Sequence, residues 1–224
     1  MVMTQDAASA DKLFAQYIQN KGFPCLGAKS ALATGNLRVV KARDMTSAWN
    51  DVAIHEALLE WAFAYRKDPE GLRSLAVVFE GPENLSEEEF ETCLWERLQS
   101  LADKDHWRGQ EYDARVSADP GSPHFSLSFG GEAFFVVGMH PNASRPARRF
   151  PKPALVFNLH DQFERLRERG KYERMREAIL ERDRKLAGDL NPMLSRHGEA
   201  SEARQYSGRM VDDEWSPPFE DVRS

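Results

Sequence analysis

The chain has 224 residues, 41% of them hydrophobic, and a formal net charge of −6. That length suits one domain with a sizeable core, and the acidic balance excludes nucleic acid as the main partner, because phosphate binding needs a basic face. No stretch approaches the roughly 20 apolar residues that span a bilayer, residues 1–10 lack the basic start and apolar run of a signal peptide, and the two cysteines form no disulfide framework; the expectation is a cytoplasmic protein with reduced thiols and no membrane partner.

Residues 8–20 read as a short helix with Leu13, Tyr17 and Ile18 as apolar positions, broken at Phe23-Pro24-Cys25 because a residue before proline is pushed out of the helical region. Leu37-Arg38-Val39-Val40 follows as a strand. Thr46 or Ser47 caps a helix running to about Lys67, with Trp49, Val52, Leu59 and Phe63 expected to face inward. The apolar run at 75–79, ended by Gly81-Pro82, is a buried strand. Ser86 opens a capping box with Glu89, and Phe90, Leu94, Leu98 and Leu101 continue at helical spacing.

Residues 125–139 read as a hairpin turning at Gly130-Gly131, and 154–157 as a further strand. A long charged helix over 161–186 carries Phe163, Leu166, Met175, Ile179 and Leu186 on one side, with Gly170 a point of division. From Asn191 onward the chain is irregular but keeps Tyr206, Trp215 and Phe219, so it is expected to pack across the body or cover a pocket. Strands near 37, 75, 125, 134 and 154 among helices give one α+β (mixed α/β) domain over 1–224. It has a central, mostly antiparallel sheet flanked by helices and an irregular C-terminal segment.

The densest chemistry is His140-Pro-Asn-Ala-Ser144-Arg145-Pro-Ala-Arg148-Arg149, directly after the most apolar strand. A sheet fixes the geometry of such a loop, and guanidinium forks suit a carboxylate or phosphate, so the segment suggests an anionic ligand; a solvated basic loop is the plainer reading. Asn158-Leu-His160-Asp161 repeats the pattern after the next strand, with Asn158 or Asp161 as a helix cap and His160 incidental as the plainer alternative. Two neighbouring strands that both end in His are more suggestive than either alone.

Cys25 could ligate iron or act as a nucleophile if its pKa were lowered, or simply be a buried packing residue. His55, His106, His124 and His197 make no metal-ligand pair, and the fingerprints of zinc, covalent haem, nucleotide and flavin sites are missing from the sequence.

Several segments together resemble the YqcI/YcgG family. They are Phe-Pro-Cys-x-Gly-Ala at 23–28, Leu-Ser-Glu-Glu-Glu-Phe-Glu at 85–91 and Phe-Phe-Val-Val-Gly-Met-His-Pro-x-Ala-Ser-Arg at 134–145. Further on come Phe-Asn-x-His-x-Gln-Phe-Glu-x-Leu-Arg at 157–167, Asn-Pro-Met-Leu at 191–194 and Ser-Glu-Ala-Arg-Gln-Tyr-Ser-Gly at 201–208. Trp215-Ser-Pro-Pro-Phe219 departs from the pattern, which would place a Cys beside the prolines.

The resemblance implies haem b (iron protoporphyrin IX) and N-hydroxylation of a guanidine or amine, such as L-arginine to Nω-hydroxy-L-arginine. Dioxygen or peroxide would be the oxidant; an electron donor and a homodimer are open as partners. A haem carrier or sensor without turnover is the alternative function, and a metal-free enzyme using Cys25 a third. On the haem reading, His140 is the first candidate for the iron, with His160 and Cys25 as alternatives. Arg145, Arg148 and Arg149, with Ser144 and Asn158 nearby, are expected at the cofactor, the arginines on its propionates. Glu132, Asp119 and Glu202 are candidates for a substrate carboxylate.

Overall fold

The computed structural model describes residues 9–193 and 198–223. The apolar runs at 75–79 and 154–157 belong to β2 (Ser74–Gly81) and β5 (Ala154–Leu159), which lie side by side within the sheet. Strands covered on both faces need no polar alternation, and these two have almost none. β1 (Leu37–Asp44) pairs parallel with β2, while β4 (Glu132–Met139) pairs antiparallel with both β5 and β3 (Leu127–Phe129). The order is β1-β2-β5-β4-β3, an open, mostly antiparallel sheet.

Successive side chains of a strand point to opposite faces, and the core divides accordingly. Leu75, Val77 and Phe79 enter the larger cluster, with α3 (Asp51–Lys67), α4 (Glu87–Trp107) and the C-terminal segment. Ala76 and Val78 enter the other, with α1 (Ala10–Gln19) and α2 (Leu26–Ala33). α4 starts where the sequence indicated: Ser86 accepts from the Glu89 N–H at 3.2 Å, and Glu89 returns a bond to the Ser86 N–H at 2.8 Å. Phe90, Leu94, Leu98 and Leu101 are all fully buried.

α3 presents a different face from the one expected. Trp49, just before the helix, and Val52 and Phe63 on it are exposed; Leu59 is buried as expected, but the main buried stripe is Ile54, Leu58, Ala62 and Tyr65. This second stripe repeats at helical spacing, and the bulk of Trp49 and Phe63 obscured it. α2 was not foreseen either; Cys25 caps it, its Sγ accepting from the Ala28 N–H at 3.4 Å.

The charged stretch after β5 divides at Gly170, which has φ 64°, into α5 (Asp161–Glu168) and α6 (Tyr172–Ala187). Beyond it, the C-terminal segment contributes α7 (Ala203–Tyr206) and packs back on the body. Tyr206 and Phe219 are buried against Trp95, with ring centroids 5.8 and 5.9 Å away. Arg223 reaches the fully buried Asp105 at 2.5 Å. Among the described residues no helix is long and apolar enough to cross a membrane.

Candidate functional site

The chain leaves β5 at Leu159 and turns at His160 into α5. The His160 N–H bonds the Ala133 carbonyl at 2.8 Å, which fixes this corner to β4. His160 is buried and lines a cavity of about 230 Å3. The walls are apolar and come from three elements: Phe135 of β4, Phe163 of α5, and Met175, Ile179 and Leu180 of α6. Its polar lining includes Glu202 and Gln205 from the C-terminal segment and Arg167 and Arg176 from the helices.

Glu202 Oε1 lies 3.6 Å from His160 Nε2, and its other oxygen accepts from Ser126 Oγ at 3.2 Å. Arg167 is stacked over the Tyr172 ring, 4.1 Å from its centroid, and paired with Glu164. His160 also lines a smaller cavity of about 190 Å3, where Asp113, Arg115, Asp161 and Glu164 meet. There Arg115 bridges Asp113, Glu132 and Asp161; its bonds to Asp113 and Glu132 raise its pKa and lower that of Asp113, while Asp161 is held low mainly by bonds from Arg165 and Tyr65.

His140 is not part of this site. β4 and β5 are antiparallel, with Met139 opposite Ala154 and Phe134 opposite Leu159. The two strands therefore end in His at opposite ends of the sheet, roughly 20 Å apart at about 3.3 Å per residue. The expectation that they reinforce one another does not survive this pairing. His140 is 1% exposed, and its ring is stacked on Phe90 with centroids 4.2 Å apart. Among the described residues its Nδ1 has no hydrogen-bond partner, and burial pushes its pKa down.

The arginines after His140 are engaged by the protein itself, except that the buried Arg145 Nε has no partner among the described residues. Arg145 pairs with Asp183 at 2.5 Å and with Asp189. Arg148 donates to the carbonyls of Gly138, Tyr206 and Gln205 at 2.7–3.1 Å, tying the end of β4 to α7; burial lowers its pKa to about 10. Arg149 donates to the carbonyls of Ala143 and Ser144, both at 2.7 Å. What the sequence suggested as an anion-binding loop is a set of structural clamps in this fold.

Asn158 accepts from Ser74 Oγ at 2.7 Å within the sheet, and neither it nor Asp161 caps α5. Burial raises the pKa of Cys25, which disfavours a thiolate, and Cys25 does not line the His160 cavity. Of the three carboxylates considered, Asp119 closes its own exposed turn and Glu132 is paired with Arg66 and Arg115; only Glu202 faces the cavity. His197 and Leu194 lie outside the described residues.

The donor set of the His160 cavity fits a haem: an imidazole for the iron, aromatic and aliphatic walls for the macrocycle, and guanidinium groups for propionates. The volume, about 230 Å3, is below the roughly 300–1,000 Å3 of small-molecule sites, so a porphyrin would enter only if the cavity widened. The sequence had already put Met175 and Ile179 on one helical side. Nothing local distinguished that side from a packing face, and the part played by Phe135 and Gln205 depends on how β4 and α7 are placed.

No curated protein and no solved structure matches the chain. A family model does match, over residues 14–220, a span that takes in every strand and helix except the first turn of α1. The chain therefore belongs to the YqcI/YcgG family.

Proposed function

We propose that this protein is a haem-dependent monooxygenase that N-hydroxylates a guanidine or amine compound, with L-arginine the first substrate to test. The observation that supports it is a buried imidazole, His160, on the wall of an apolar cavity beside a buried carboxylate. Bound haem supplies the iron at which dioxygen or peroxide is activated. His160 is the residue that holds this iron; His140 and Cys25 lie outside the cavity.

Glu202 is a positioning residue. A carboxylate beside a ligating imidazole fixes the ring's orientation and raises its basicity, and Ser126 holds Glu202 from behind. Phe135, Phe163, Met175, Ile179 and Leu180 exclude water from the reacting centre.

The test is to reconstitute the protein with haem and incubate it with L-arginine and other guanidines, supplying reductant and dioxygen or, separately, peroxide. Mass spectrometry should show a product heavier by one oxygen. Haem uptake with no oxygenated product from any guanidine or amine would overturn the hydroxylase and leave a haem carrier.

A further inference from the structure

We propose that Arg176 is the anion-recognition residue of the His160 cavity and that the ligand presents a carboxylate to it. The inference rests on the haem reading of the cavity, in which that carboxylate is a propionate.

Tyr172, Met175, Arg176, Ile179 and Leu180 all line the cavity and repeat at spacings of three and four, so they form one stripe of α6. α6 has an ample solvated face, on which Arg174, Glu177 and Glu181 are exposed. Arg176 is partly buried within the apolar stripe instead.

The other charged groups of the cavity are already engaged. Arg167 has Glu164 and the Tyr172 ring, and Glu202 has Ser126 and His160. Arg176 makes no ion pair, hydrogen bond or ring contact among the described residues. A guanidinium set in an apolar stripe with its donors free is open to an anion delivered by the ligand, and it matches a carboxylate with two parallel bonds. Apolar walls with one free guanidinium thus describe a flat apolar ligand that carries a carboxylate at its edge.

The test compares haem with haem dimethyl ester, which has the same macrocycle and no charge on its side chains. Loading is followed by the Soret band, and retention by transfer to apomyoglobin. Arg176→Leu should lose haem about 10- to 100-fold faster than wild type, and Arg176→Lys should recover part of the difference. The dimethyl ester should leave wild type and Arg176→Leu at similar rates. Arg174→Leu, on the exposed side of the same helix, should retain haem like wild type.

If wild type holds haem and Arg176→Leu holds it equally well, the role of Arg176 is overturned while the haem reading stands. Equal acceleration for haem and its ester also overturns it, since packing rather than charge would then be lost. If wild type takes up neither, the haem reading falls and this inference falls with it.

Discussion

His140 closes β4 with its ring buried against Phe90, at the far end of the sheet from His160. The lowered pKa of His140 has a consequence for stability. Its folded value lies below the ordinary histidine value of about 6.5. Above that pH neither state is protonated at this residue. As the pH falls below it the unfolded chain takes up the proton first, so stability is lost downward from about pH 6.5. The urea midpoint of wild type should therefore fall more between pH 7 and pH 5 than that of His140→Gln, which has no proton to gain. Equal falls would show that His140 does not contribute to the acid sensitivity.

At the level of elements, periodicity identified the five strands and the capping box on α4, since these depend on neighbours in sequence. It misplaced the inward face of α3, where two stripes compete and only tertiary packing selects between them. It also missed the close approach at Gly138 of β4. A Cβ there would sit 2.7 Å from Phe90 and 2.9 Å from the Tyr206 carbonyl. Gly138→Ala should thus destabilise the fold by about 1–3 kcal/mol, the usual range for overpacking, measured by urea denaturation; an unchanged midpoint would mean that α7 is free to retreat. A second expectation concerns α6, which supplies Met175, Arg176, Ile179 and Leu180 to the cavity wall. Amide hydrogen exchange in α6 should change on haem loading while β2 and β5 stay protected. Unchanged exchange in α6 would place the haem elsewhere.

Over the whole molecule, the irregular C-terminal segment closes the core and also completes the site. It supplies Glu202 and Gln205 to the cavity, and Arg223 to a network centred on the fully buried Asp105 and His55. In that network Asp105 accepts from Arg223 at 2.5 Å and from the Gly130 N–H at 3.0 Å, and lies 2.7 Å from His55 Nε2. Removing one partner of a buried pair leaves the other charge uncompensated, so Arg223→Met should cost about 3–5 kcal/mol, read from urea melts. The sequence signalled this packing only through Tyr206, Trp215 and Phe219; which carboxylate Arg223 would meet was beyond it.

The central claim is that the His160 cavity binds haem through His160. It is tested most directly by the absorption spectra of wild type and His160→Gly after reconstitution with haem. Wild type should show a Soret band at one haem per chain. His160→Gly should lose most of it and regain an imidazole-type spectrum when free imidazole is added, whereas His140→Gln should match wild type. A wild-type protein without a Soret band, or a His160→Gly spectrum identical to wild type, would contradict the assignment.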